Sequence, residues 1–424
     1  MLTKAVRLYG KNDLRLEEFE LPAIGEDEIL ARVVSDSICM STHKAALQGA
    51  DHKRVPKDIA VNPTIVGHEF CGDILKVGAK WQSQFRPGQK FAIQPAMNYK
   101  GSLYAPGYSY RYIGGDATYI VIPNEVMETG CLLDYNSDTY FYGSLGEPVS
   151  CIVGGYHANY HTTAGSYVHK MGIVRGGSAA ILAGAGPMGL GAIDYALHGP
   201  IQPVLLVVTD IDEARLARAA QLISPADAQE AGVRLVYLNT AGIDAKAKLF
   251  ELSGGKGYDD VFVYAPVKPV VELGDQILAR DGCLNFFAGP TNPEFSALFN
   301  FYNVHYASTH IVGTSGGNTD DLIETIELMN KGRINPAAMI THIGGLDAVA
   351  QTVLDLPKIP GGKKLIYTHI TLPLTAIDDF EKLGRSDPLF KKLAEITAKN
   401  NGLWSGEAEK ALLSHFRVGA PELR

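Results

Sequence analysis

The hexapeptide Gly184-Ala185-Gly186-Pro187-Met188-Gly189 constrains this chain more than any other feature. It fits G-x-G-x-x-G, a pattern that means little in isolation. Here it follows the apolar run SAAILA, opens a helical pattern, and leads to a second apolar run, PVLLVVTD, that ends in Asp210. In such a strand–turn–helix, Gly184 permits the tight turn and Gly186 lets backbone approach a pyrophosphate at the helix N-terminus. Gly189 allows the helix to pack closely on the strand. Pro187 and Met188 begin the helix at the same turn. Asp210, about twenty residues on, is placed to accept hydrogen bonds from a ribose diol and to repel a 2′-phosphate. The pattern therefore predicts a dinucleotide site that prefers NAD(H), with NADP(H) less favoured. Arg215 is within sequence reach of the same ribose, although a solvated helix arginine is the plainer reading. A glycine turn without a ligand is the bland alternative, and the strands and acid around it argue against it.

The same alternation continues. RLVYLN, DDVFVYAP, GCLNFFAG and HIVGTSGG read as further strands with helical stretches between them, which implies a parallel sheet covered on both faces. The first third differs. KAVRLYG, LRLEEFELP, EILARVVSDSIC, CGDILKVG, GQKFAIQP and ATYIVIP are strand-like and bounded by turn residues, while the tyrosine-rich MNYKGSLYAPGYSYRYIGG reads as a long loop. After DDLIETIELMNKGRI, a strong amphipathic helix, MITHIGGLDAVAQTVLDL and KKLIYTHI suggest a return to the first domain. The tail is helical and mixed in charge. With 424 residues, two domains are natural. The reading is an α/β protein in which a Rossmann domain, residues 152–315, is inserted in a β-rich catalytic domain formed by residues 1–151 and 316–424. The cleft between them is the expected place of reaction.

A net charge of -8 argues against a broad nucleic-acid surface. MLTKAVRLYG runs directly into charged residues, without the apolar core of a signal peptide, and the longest apolar stretch is broken by glycines, Pro187 and Asp194. Five scattered cysteines suggest a reducing compartment. The expected location is the cytoplasm, with no membrane or nucleic-acid partner.

Three further segments carry candidate metal ligands. Cys39 lies in SDSICMSTHK, His68 and Glu69 in PTIVGHEFCGDI, and Glu147 in GEPVS, just before the dinucleotide region. Catalytic zinc commonly takes three protein ligands from cysteine, histidine and carboxylate and keeps one position open. Alone, each is better read as a small buried filler or a satisfied core group.

Together with GAGPMG and TDIDEARL, these residues resemble the zinc-containing medium-chain dehydrogenases, a family that includes alcohol, sorbitol and threonine dehydrogenases. The resemblance spans nearly the whole chain to about residue 370, and the catalytic domain it implies is GroES-like. It implies that Cys39 and His68 ligate one catalytic zinc, with Glu147 or Glu69 as the third ligand, and that Ser41 contacts the substrate oxygen. It also implies a homodimer or homotetramer. CMSTHKAAL, the tyrosine-rich insert and the long C-terminus are similar to the sorbose-1-phosphate reductase branch. There are three departures. Thr42 stands where the family commonly has aspartate. Lys44 stands where a proton-relay histidine often sits, with His43 nearby but out of register. The region from Gly88 to Pro123 has no cysteine, so no structural zinc is expected.

The chemistry implied is zinc-assisted hydride exchange between a nicotinamide and an alcohol or ketone, with Ser41 passing the hydroxyl proton outward. The substrate is expected to be a small polyol or ketose, with sorbose 1-phosphate and a glucitol 6-phosphate as the leading pair. Lys44 and Arg111, with Lys53 and Arg54 nearby, are candidates for the phosphate. The rival readings are an unphosphorylated polyol or alcohol dehydrogenase, a zinc-free quinone or enoyl reductase of the same fold, and a dinucleotide sensor without turnover.

Overall fold

The structure, a computed structural model, describes residues 1–420. It divides into two compact units, Met1–Glu147 with Met339–Arg424, and Pro148–Ala338.

The second unit is built on a six-stranded parallel sheet. In chain order its strands are Ser178–Leu182, Leu205–Asp210, Arg234–Asn239, Tyr258–Val263, Leu278–Phe286 and His310–Val312. Their spatial order is third, second, first, fourth, fifth, sixth. The central strands are almost wholly buried, as a parallel sheet covered on both faces requires. The chain turns away from the first strand into the helix Pro187–His198, which begins with proline at its first position. Asp212 caps the following helix, Glu213–Leu222, by accepting the Arg215 amide.

The first unit carries an eight-stranded sheet, with the strands Lys363–Tyr367, Ile29–Ile38 and Phe70–Val77 side by side at its centre. A three-stranded sheet contains Leu2–Gly10 and Asp13–Glu20. One core gathers Phe70, Phe91, Ile120 and Ile122, and another gathers Ile38, Ala46, Tyr108 and Val349. The C-terminal segment forms the helices Pro388–Lys399 and Gly406–His415.

Two boundaries differ from the sequence reading. The amphipathic helix of DDLIETIELMN, Thr319–Asn330, belongs to the second unit, which runs to Ala338 rather than to residue 315. Its Asp321 bonds His157 at 2.7 Å and Glu324 accepts from Tyr195 at 2.6 Å, so it is held by residues of that unit. The first boundary falls after Glu147, inside a continuous helix, Phe141–Ala158. Among the described residues, no helix is long and apolar enough to cross a membrane.

Candidate metal centre and dinucleotide pocket

Three adjacent strands bring the candidate ligands to one end of the large sheet. Ile38 pairs with Lys364, and Asp36 pairs with Phe70. Cys39 just after one strand, Glu69 just before the next and Lys363 at the start of the third are therefore neighbours. Gly67 of the GHE motif has φ 87°, and a Cβ there would lie 2.7 Å from the Asp116 amide nitrogen. Only glycine fits that turn, which delivers His68 and Glu69 to the interior.

One donor atom each from Cys39, His68 and Glu69 lies within 4.8 Å of the others. Burial lowers the His68 pKa against the pull of Glu147 and Glu69, which favours the neutral imidazole a metal requires. Thr42 Oγ1 is 3.2 Å from His68 Nδ1. An Nδ1–H donated there leaves the Nε2 lone pair toward the cluster. Ser41 Oγ donates to Cys39 Sγ at 3.0 Å and lies 3.3 Å from His68 Nε2. The Tyr108 hydroxyl, from the tyrosine-rich insert, is also 3.3 Å from Nε2. A thiol, an imidazole and a carboxylate gathered so closely fit the donor preference of zinc.

Glu69 is also held from behind. Lys363 Nζ lies 2.5 and 2.6 Å from its two carboxylate oxygens, and the Ser37 hydroxyl donates to it as well. Burial works against the Lys363 charge, but attraction to Glu69, Cys39 and Glu147 outweighs it and raises its pKa. Burial pushes the Cys39 thiol up, and Lys363 opposes that. Glu147 is buried on the helix Phe141–Ala158, outside the tight trio but close enough to interact with His68 and Glu69. Burial raises its pKa to about 7, against the pull of His68. Deeper still, burial raises Asp36 and Asp116, the latter to about 8.

The remaining candidates divide. Lys44 is half-buried on the helix Met40–Gln48; burial lowers its pKa while Cys39 pulls the other way. His43 is half-buried, its Nδ1 2.8 Å from the Val353 carbonyl. Arg111 is exposed, its guanidinium lying against the ring of Tyr112. Lys53 is exposed and Arg54 half-buried. Lys363 and Tyr108 escaped the sequence reading. No local pattern marks either one.

In the second unit, a pocket of about 430 Å³ is lined by Gly186, Pro187, Met188, Gly189, Asp210 and Arg215, among others. A Cβ on Gly189 would lie 1.9 Å from the Gly184 carbonyl oxygen, which confirms the tight helix–turn contact. A Cβ on Gly186 would meet nothing within 4 Å, leaving room for a ligand at the helix N-terminus. Asp210 accepts from the amides of Ile211 at 2.8 Å, Asp212 at 3.1 Å and Ala185 at 3.2 Å, so it also braces the glycine turn. Arg215 sits at the rim, 3.5 Å from Asp212. These residues fit a dinucleotide.

Residues 25–130 match the alcohol dehydrogenase GroES-like domain, and residues 187–331 match zinc-binding dehydrogenase. The mannitol-1-phosphate 5-dehydrogenase of Aliivibrio fischeri is 54% identical over 417 residues, covering 98% of each chain. The L-sorbose 1-phosphate reductase of Klebsiella pneumoniae is 53% identical over 413 residues, covering 97% of this chain and 98% of the relative. A zinc-binding dehydrogenase from Sinorhizobium meliloti, solved with NADP, shares the fold with a TM-score of 0.71 at 19% identity, covering 87% of this chain and 99% of that one. The chain belongs to the zinc-containing medium-chain dehydrogenase family. It is an oxidoreductase of the alcohol and polyol dehydrogenase type, with a GroES-like domain and a Rossmann-like domain.

Proposed function

We propose that this chain is a zinc-dependent, NAD(H)-linked dehydrogenase that interconverts a phosphorylated hexitol and its ketose. The observation that carries the chemistry is the Cys39, His68 and Glu69 cluster with the Ser41 hydroxyl beside it. The choice of a phosphorylated substrate is supported by two relatives of nearly full coverage whose names specify a hexitol or ketose phosphate.

Cys39 and His68 would hold one zinc, with Glu69 or Glu147 as the third protein ligand. Bound zinc supplies a Lewis acid for a carbonyl or alkoxide oxygen, and the nicotinamide supplies or accepts the hydride. The protein does the rest. Thr42 fixes the His68 ring, and Lys363 with Ser37 fixes Glu69. Ser41 holds the proton of the substrate hydroxyl, with the Tyr108 hydroxyl close by. Asp210 takes the adenosine ribose diol and favours NAD(H). The working form is a cytoplasmic homodimer or homotetramer with one zinc per chain and no structural zinc.

The test is a steady-state screen of sorbose 1-phosphate, fructose 6-phosphate, glucitol 6-phosphate, mannitol 1-phosphate and the free sugars, each with both nicotinamides. The expected result is a far higher kcat/KM for a phosphorylated pair with NAD(H). Equal efficiency on free sorbose, fructose or sorbitol would leave a plain polyol dehydrogenase. Turnover that survives complete removal of zinc would favour the zinc-free reductase reading.

A further inference from the structure

Arg54 differs from the two buried arginines of the first unit in having no carboxylate beside it, although Arg7 Nε is likewise buried without a hydrogen-bond partner. The two buried ones each face a carboxylate, Arg7 with Glu17 at 2.9 Å and Arg32 with Asp73 at 2.6 Å. Arg54 is half-buried, forms no ion pair among the described residues, and its Nε is buried without a hydrogen-bond partner. A desolvated guanidinium nitrogen left unsatisfied costs free energy unless something binds it.

Its position says what that partner is. The Arg54 guanidinium carbon lies 5.4 Å from the centre of the Tyr108 ring. That ring packs between two histidines, stacked on His52 at 5.7 Å and tilted against His68 at 4.8 Å. Its hydroxyl is the one 3.3 Å from His68 Nε2. The segment is fixed as well: the Arg54 amide donates to His52 Nδ1 at 3.3 Å, and its carbonyl accepts from the Ser109 hydroxyl at 2.6 Å. Arg54 is thus one aromatic ring away from the candidate zinc ligand, on a braced segment. The field there is positive. Burial lowers the His52 pKa, and the charges of Arg54, Lys53 and Lys44 add to the fall, which brings it to about 4.

We infer that Arg54, assisted by Lys44, forms an anion subsite that receives the phosphate of the substrate. The inference rests on the dehydrogenase reading of the neighbouring cluster. It moves the phosphate contact from Arg111, which lies exposed against Tyr112, to a guanidinium beside the reacting centre. A guanidinium offers two parallel donors to phosphate oxygens in a fixed plane, and the Tyr108 ring supports it by a cation–π contact. The subsite would hold a doubly charged group without a carboxylate competing for the same donors.

The experiment compares wild type, Arg54→Met and Arg54→Lys on ketose phosphates and on the same free ketoses. Sorbose 1-phosphate carries its phosphate on the carbon next to the carbonyl, and fructose 6-phosphate carries it four carbons away, so the pair also reports the distance served. The expected result is that Arg54→Met lowers the ratio of kcat/KM between phosphorylated and free ketose by on the order of 30-fold, chiefly through KM. Arg54→Lys should recover part of that ratio, since charge is kept and the planar fork lost. An unchanged ratio, or an equal fall for both sugars, would overturn the subsite. Inorganic phosphate keeps the two readings separable. If wild type shows no preference for phosphorylated sugars, the substrate reading fails. The subsite still requires that phosphate compete with whichever ketose is reduced, with an inhibition constant about tenfold weaker in Arg54→Met. Phosphate inhibition equal in both proteins overturns the subsite. Melting temperatures of all three proteins exclude misfolding as the cause.

Discussion

Lys363→Met isolates the buried pair on which Glu69 depends. The two side chains are 7% and 1% exposed, and both carboxylate oxygens lie within 2.6 Å of the ammonium. Removing the lysine leaves Glu69 as an uncompensated buried charge, a loss of about 3–5 kcal/mol in comparable sites. The Ser37 hydroxyl remains as a donor, so the lower part of that range applies, about 3 kcal/mol. For a unit of this size each kcal/mol shifts the melting point by about 2–4 °C, which gives about 6–12 °C. The assay reports on the right unit, because both tryptophans, Trp81 and Trp404, lie in the first one. Fluorescence melting should be run on zinc-free protein, since a bound metal adds its own stabilisation. The double variant Lys363→Met with Glu69→Gln buries no net charge and should regain at least about 2 kcal/mol relative to the sum of the single losses. A shift under about 2 °C, or strictly additive variants, would refute the claim that the pair is energetically coupled.

Three further outcomes are expected. Zinc analysis should find about one ion per chain, lost or greatly weakened in Cys39→Ser and His68→Ala, because a three-ligand site with one ligand removed holds the ion poorly; two tightly held ions would contradict the absence of a structural site. Asp210→Ala should narrow the preference for NAD(H) over NADP(H). It should also lower the stability of the second unit by about 1–3 kcal/mol, since three amides lose their acceptor, and a native enzyme that works far better with NADPH would remove Asp210 from the ribose. Burial raises Glu409 from an ordinary 4.5 to about 7, so its folded state holds the proton longer than the unfolded chain does. Its contribution therefore falls as pH rises from about 4.5 to 7, by up to about 3 kcal/mol, and is flat above that; chemical unfolding at pH 5 and pH 8 should show this slope in wild type and lose it in Glu409→Gln, and identical slopes would refute it.

What the sequence made legible was local. GAGPMG, its flanking apolar strands and Asp210 are contiguous, and their shared turn is readable from residue types alone. Residues joined only by strand register were not legible. Lys363 is 294 positions from Glu69, and nothing in GGKKLIYTHI distinguishes the first of its two lysines from a solvated one. Only the pairing of three strands reveals it. Arg54 was readable as a cation, but its unsatisfied nitrogen and its place over Tyr108 depend on how the tyrosine-rich insert folds back. Arg111 sits in that same insert, and sequence offered no way to rank the two.

The helix Phe141–Ala158 shows what the C-terminal segment contributes. The sequence GSLGEPVS places two glycines and a proline where the helix runs, and no serine, threonine or aspartate immediately precedes Phe141 to cap it. The cap comes from far away. Glu409, on the helix Gly406–His415, accepts the Tyr140 amide at 2.7 Å and the Phe141 amide at 2.9 Å. A carboxylate there both satisfies open backbone donors and complements the helix dipole. Gly143 is equally necessary, because a Cβ there would lie 2.4 Å from Cys71 Sγ on the central sheet. The same Glu409 accepts from the Tyr367 hydroxyl at 2.9 Å, and Tyr367 in turn accepts from Trp404 Nε1 at 2.9 Å. Tyr367 ends the strand that Lys363 begins. The C-terminal helices therefore brace two elements at once, the strand whose lysine holds Glu69 and the helix that carries Glu147. Both glutamates proposed for the third ligand position depend on a segment that the family resemblance, ending near residue 370, left without a role.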